Sequence, residues 1–87
     1  MASETDSRAN ILEHVQSIVS DTLRLPDLAL REEMTAQDVP GWDSLTHVQI
    51  IIAIEQAYGF RFSFAEVAQL QNAGDLVTAI LAKSPSA

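Results

Sequence analysis

The stretch Gly41-Trp42-Asp43-Ser44-Leu45-Thr46-His47-Val48-Gln49-Ile50-Ile51-Ile52-Ala53-Ile54-Glu55-Gln56-Ala57-Tyr58-Gly59 decides how this chain folds. It predicts a helix from about Ser44 to Tyr58. Asp43 is placed to cap the start, and Gly59 to end the helix in a left-handed conformation. At about 100° per residue, Ile50, Ile51, Ile54 and Tyr58 share one side, which is the expected core stripe. Leu45, Val48 and Ile52 form a second apolar row, offset from the first and beginning beside Ser44. So small a domain cannot easily bury both. Either residues of the preceding loop, such as Met34 or Val39, cover the second row, or it is a docking face rimmed by Asp43 and Glu55.

Upstream, from Arg24 to Trp42, no helical period persists, and Pro26, Pro40 and Gly41 punctuate the segment. A connection this long usually has a task or packing of its own. Leu28, Leu30, Met34 and Val39 can pin it across the helices, with room for a short helical turn. Before it, Arg8, Ile11, Leu12, Val15, Ile18, Val19 and Leu23 recur at helical spacing. Asp6 or Ser7 is placed to cap that first helix, and residues 1–6 read as a flexible tail. Downstream, Ser63-Phe64-Ala65-Glu66 has the pattern of a capping box and opens a short helix ending near Leu70. Asn72 caps a last helix from about Ala73 to Ala82, with Asp75 in its first turn and residues 83–87 as a second tail. The expected fold is all-α: a four-helix bundle over residues 7–82, with a long first loop and a short third helix.

The composition narrows the function. The chain has 87 residues, no cysteine and a formal net charge of −7. That length allows one domain, with little room for a deep enzyme cleft. Disulfides and zinc–thiolate sites are excluded. The acidic balance disfavours nucleic acid and anionic membranes, and it suits partners with basic patches or simply maintains solubility. The polar N-terminus lacks the pattern of a signal peptide, and no apolar run approaches the roughly 18 residues that span a bilayer. A cytoplasmic monomer is expected. His14, His47 and the carboxylates show no metal-ligand spacing, so no metal site is expected.

Ser44 lies at the start of the central helix, where a linked phosphate would meet unpaired N–H groups and the positive end of the helix dipole. From the residues alone this is either a phosphoryl-acceptor site or an ordinary helix start. A Ser44–His47–Asp43 nucleophile fails on geometry: Asp43 is too close in sequence to orient the imidazole from its far side, and no oxyanion hole is suggested. No catalytic residue is expected. A four-helix adaptor without modification is the competing class.

Trp42-Asp43-Ser44-Leu45, the run Ile51-Ile52-Ala53-Ile54-Glu55-Gln56-Ala57-Tyr58-Gly59-Phe60-Arg61-Phe62, and Gly74-Asp75-Leu76-Val77-Thr78-Ala79-Ile80 together resemble the acyl carrier protein family, over about residues 8–82. The resemblance implies that a phosphopantetheinyl transferase moves 4′-phosphopantetheine from coenzyme A onto Ser44, flanked by Asp43 and Leu45. The arm's thiol would then hold acyl groups as thioesters, which accounts for a carrier without cysteine. It further implies partner docking through Leu45, Val48, Ile52, Glu55 and Glu66. An apolar slot lined by Ile54, Phe62, Leu70, Leu76 and Ile80 would shelter the cargo, although such residues also serve as plain core. Expected partners are the transferase, an acyltransferase or adenylating loading enzyme, and a ketosynthase or other acyl-processing enzymes.

The chain departs from carriers of discrete fatty acid synthases, which have an acidic second helix. Thr46, Gln49, Gln56 and Ala57 stand where acids are common there, and Phe64-Ala65 replaces an acidic pair. Docking should therefore be more apolar than electrostatic. This favours polyketide or hybrid polyketide–peptide biosynthesis over primary fatty acid synthesis. Asp43 sets the chain apart from peptidyl carriers, which usually show Gly-Gly-His before the serine. The short tails suggest a free-standing carrier.

Overall fold

In the computed structural model the residues described are 4–83, with side chains from Ser7 onward. The chain forms α1 (Glu4–Leu23), a 3-10 turn (Ala36–Asp38), α2 (Ser44–Tyr58), α3 (Phe64–Ala68) and α4 (Ala73–Lys83). The first helix starts earlier than its expected caps. No Pro or Gly interrupts residues 4–10, so nothing stops the helix from extending back to Glu4. Ser7 and Asp6 are therefore inside it, and residues 4–6 are not a tail. Lys83, expected to open the second tail, is instead the last residue of α4, where it pairs with Glu66; the remaining tail residues, 1–3 and 84–87, lie outside the described residues. At the other end α1 stops one residue before Arg24, which adopts a left-handed φ of 58°. The Leu25 N–H returns to the Ser20 carbonyl at 2.9 Å, closing the turn.

α1 packs against both α2 and α4. Val15 and Val19 of α1 meet Ile50, Ile51 and Ile54 of α2 and Ala73, Leu76 and Ile80 of α4 in one buried cluster. Leu30, Val39 and Trp42 of the long loop enter the same cluster. The loop is thus a wall of the core, and its backbone is tied down accordingly. The Leu30 N–H donates to Gln16 Oε1 at 2.8 Å. At the start of the 3-10 turn the Thr35 N–H donates to Asp38 Oδ2 at 3.0 Å, and the Asp38 N–H donates to the Thr35 carbonyl at 3.0 Å.

The same loop caps α4. The first N–H groups of a helix have no partner within it. Here the Ala73 N–H donates to the Met34 carbonyl at 2.9 Å and the Gly74 N–H to the Glu32 carbonyl at 2.8 Å. The Asp75 N–H donates to Asn72 Oδ1 at 2.8 Å, as the sequence predicts. Gly74 favours this approach, because a Cβ there would lie 3.1 Å from the Glu32 carbonyl oxygen and the loop would have to give way slightly. Arg8 locks the junction: its guanidinium pairs with Glu32 and donates from Nη1 to Thr78 Oγ1 at 3.0 Å. α3 ends at Ala68, two residues before the expected Leu70, where Gln69 turns its N–H back to the carbonyls of Glu66 and Val67.

Candidate functional site

The central helix begins as its sequence demands. Asp43 is extended, and its Oδ1 accepts the N–H groups of Leu45 and Thr46, each at 3.0 Å. Thr46 completes the box: its hydroxyl accepts the Asp43 N–H at 2.8 Å and donates to the Gly41 carbonyl at 2.8 Å. The Thr46 backbone bond is the main reason the Asp43 carboxyl is held below the usual aspartate range. Thr46 therefore has a structural task, done with a hydroxyl where a longer acid can do it in a capping box.

This arrangement alters one expectation. The N–H groups of Leu45 and Thr46, which a phosphate on Ser44 would have met, are already taken by Asp43. What remains for a phosphate is the positive helix end, reduced by the Asp43 charge. Ser44 itself is exposed, and its hydroxyl has no hydrogen-bond partner among the described residues. Capping is done by its neighbour, so the Ser44 oxygen is left for chemistry. A phosphodiester there fits, since the oxygen is accessible and no buried group must be displaced.

Beside Ser44 is an open cavity of about 330 Å³, walled by Met34 and Ala36 of the loop, Trp42, Asp43 and His47, and Leu70, Gln71, Asn72 and Leu76 from the α3–α4 side. The Trp42 indole N–H donates to His47 Nδ1 at 3.0 Å. Partial burial pushes the His47 imidazole below the ordinary histidine value, so it is neutral near pH 7.

Of the five residues expected to line an acyl slot, only Leu70 and Leu76 reach this cavity. Ile54 and Ile80 are fully buried in the core. Phe62 is half-buried at the other end of α2, edge-to-face with Phe60 and near the Lys83 ammonium. Sequence reasoning misses Trp42, His47 and Asn72 as cavity walls. The available signal is a tryptophan and a histidine five residues apart, bracketing the cap.

The second apolar row of α2 is uncovered: Leu45 is 70% exposed, Val48 52% and Ile52 46%. Val39 is buried in the core and Met34 lines the cavity, so neither loop residue shields the row. Phe64, at the first position of α3, is 90% exposed. Glu55 and Glu66, the two acids expected to take part in docking, have internal partners. Glu55 Oε2 accepts the Phe62 N–H at 2.8 Å. Glu66 accepts the Ser63 N–H at 2.7 Å and pairs with Lys83 at 3.0 Å. The Ser63 backbone bond, then Lys83, holds the Glu66 carboxyl below its usual range. His14 Nδ1 lies 3.0 Å from the Tyr58 hydroxyl, on α1 away from the cavity walls. No helix of the described residues is long and apolar enough to cross a membrane.

The fold and this site define a class: a small helical domain that presents one accessible serine at a capped helix start. Residues 13–80 match the family described as a phosphopantetheine attachment site. The chain is 31% identical over 74 residues to the acyl carrier protein of Thermotoga maritima, covering 85% of this chain and 91% of that one. It is 30% identical over 81 residues to the acyl carrier protein of Acidothermus cellulolyticus, covering 93% and 96%. The solution structure of holo acyl carrier protein from Geobacter metallireducens superposes with a TM-score of 0.78 at 30% identity, covering 83% of each chain. This chain belongs to the acyl carrier protein family. It carries covalently attached 4′-phosphopantetheine, and proteins of this family interact with transferases and acyl-processing enzymes in general.

Proposed function

We propose that Ser44 is the residue that bears the arm, and that the chain is a non-catalytic carrier of acyl thioesters in the cytoplasm. The observation behind this reading is the division of labour at the start of α2. Asp43 and Thr46 satisfy the cap, while the Ser44 hydroxyl stays exposed and unbonded beside a cavity. When bound, the arm supplies a thiol to a chain that has none of its own. The non-catalytic reading is supported by what Asp43 and His47 already hold. The carboxylate is spent on backbone N–H groups and Nδ1 on Trp42, so the aspartate–histidine link of a nucleophilic triad is not made.

Leu45, Val48 and Ile52 form the partner face in this reading. Their exposure, together with the internal engagement of Glu55 and Glu66, supports apolar docking. Apolar docking in turn favours polyketide or hybrid polyketide–peptide synthesis, with an acyltransferase or adenylating enzyme loading the arm and a ketosynthase among its users.

Attachment is tested by intact mass after incubation with coenzyme A and a broad-specificity phosphopantetheinyl transferase. Wild type should gain one phosphopantetheine. Ser44→Ala should gain none and keep its helicity, because the Asp43 cap is untouched. An adduct on the Ala variant would assign attachment elsewhere.

A further inference from the structure

The two histidines of this chain each meet an aromatic side chain, and the two contacts respond differently to a proton. His14 Nδ1 lies 3.0 Å from the Tyr58 hydroxyl. A hydroxyl both donates and accepts, so that contact can persist whether the imidazole is neutral or charged. His47 has no such freedom. Its Nδ1 lies 3.0 Å from Trp42 Nε1, and an indole N–H can only donate. Nδ1 must therefore be the bare, accepting nitrogen, with the neutral ring's proton on Nε2. Protonation makes both ring nitrogens donors and sets two N–H groups against each other. The indole N–H then loses its acceptor in a side chain only 8% exposed, where an unpaired polar group is costly.

The surroundings decide when this happens. Trp42, Ser44 and His47 line one cavity, to which α1 contributes no wall. Met34 and Ala36 from the loop are uncharged, and so are Leu70, Gln71, Asn72 and Leu76 from the α3–α4 side. Asp43 is the one charged residue among the described lining. Its carboxylate is held low, chiefly by the Thr46 N–H, and stays ionised through the histidine range. The charged residues next to these walls in sequence have partners of their own. Glu33 pairs with Arg31, Asp38 accepts the Thr35 N–H, and Asp75 accepts the Gln71 N–H. An anion added at Ser44 changes the balance. Ser44 and His47 are three residues apart on α2, which puts their Cβ atoms about 5–6 Å from each other. The phosphodiester of an arm on Ser44 brings a negative charge into that range, and a nearby opposite charge favours the imidazolium. We infer that the Trp42–His47 bond is a proton-operated latch on the wall of the attachment site, closed while His47 is neutral and biased toward release when Ser44 bears the anionic arm. The bias rests on the reading that Ser44 bears the arm, whereas the latch itself does not. A released Trp42 loosens the junction between the long loop and α2, so the loaded carrier differs from the unloaded one beside its serine.

Trp42 is the only tryptophan, so its fluorescence and its indole N–H resonance report the latch directly. The test titrates apo and holo protein with acid, with helicity followed by circular dichroism at each pH and attachment verified by intact mass of wild type and Ser44→Ala. In the apo protein the indole signals should change with one midpoint below 6.5, shared with the His47 ring nitrogens. In the holo protein that midpoint should rise by about 0.4 pH unit or more at low ionic strength, the effect in water of one charge about 7 Å away. His47→Gln keeps an acceptor for the indole N–H and has no proton to gain, so its indole signals should stay flat. Should His47→Gln fail to fold, the shared midpoint in the wild type decides alone. Indole signals that ignore the His47 titration, or that still titrate in folded His47→Gln, overturn the latch. Equal midpoints in apo protein and verified holo protein overturn the bias and leave the carrier reading standing. Absence of an adduct, or an adduct that persists on Ser44→Ala, removes the Ser44 reading and the bias with it, while the apo titration still decides the latch.

Discussion

Val48→Asp separates a docking face from core, and its size can be worked from the structure. Val48 is 52% exposed, so folding buries about half of it. Complete burial of a valine is worth about 1.5–3 kcal/mol, so the change forfeits about 1 kcal/mol. Asp and Val have similar helix propensity, and an acid in the N-terminal half of α2 faces the favourable end of the dipole. The loss should appear as a fall in melting temperature of about 4–8 °C or less. Docking should suffer far more. An apolar anchor at the centre of a contact is worth about 2 kcal/mol, which weakens loading of the arm by its acyltransferase about thirtyfold. The assay pairs circular-dichroism melts with kcat/KM for loading as carrier concentration is varied. Salt provides the control: about 0.5 M shortens screening well below 10 Å yet should reduce wild-type loading only modestly, because apolar burial is not screened. A folded Val48→Asp that loads like wild type would refute the docking row, and so would a variant that unfolds. Loss of wild-type loading in salt would hand recognition to the acids.

Ile54→Ala removes three carbons from a fully buried site, at about 0.8 kcal/mol each plus a cavity cost. The expected loss is about 3–4 kcal/mol by urea denaturation, and an unchanged midpoint would reverse the assigned phase of α2. Acid should destabilise the fold in two stages. Burial holds folded His47 below its unfolded value of 6.5, so the unfolded chain takes the proton first and stability falls as pH drops below about 6.5. Arg8 holds Glu32 low, and backbone bonds hold Glu66 and Asp43 low, so their contributions persist above about 4.5 and are lost as pH falls through the folded values. Melting curves against pH should therefore show a first stage that His47→Gln removes, and a first stage retained in that variant would contradict the burial argument.

The central helix is legible in the sequence because its signals are local. Asp43 can cap only the helix that starts beside it, and Gly59 takes a left-handed φ of 76° at the end. Ser63 with Glu66, and Asn72 ahead of Asp75, are equally local and fold as read. The start of α1 is not legible, since a helix without a breaker can begin anywhere in its first turn. The fastening of the long loop is hidden for another reason. Its bonds to α4 join the backbone of Glu32 and Met34 to that of Gly74 and Ala73, and backbone groups are the same in every sequence. Helical periodicity misplaces the cavity because it selects the residues that face the bundle axis. Ile54 and Ile80 do face it, and tight packing there leaves no opening. The opening lies where the loop meets the α3–α4 link, and no period describes that junction.

The distribution of charge bears on how such a carrier is recognised. A net charge of −7 suggests an acidic docking helix, yet α2 has no acid in its first turn. Asp43 is committed to capping, Glu55 to the turn after α2, Glu66 to the start of α3 and to Lys83, and Glu32 to Arg8. Among the described side chains, the acids without such duties, Glu13 and Asp21 on α1 and Asp27 on the loop, are exposed but are not on α2, which bears the row formed by Leu45, Val48 and Ile52. Long-range attraction can then bring a basic partner near without setting its register. Register must come from shape: a ridge of three apolar side chains beginning next to the residue proposed to hold the arm. A partner reading that ridge would tolerate changes in surface charge and reject changes in apolar volume. Leu45→Ala and Ile52→Ala should therefore impair loading more than Glu13→Gln or Asp21→Asn.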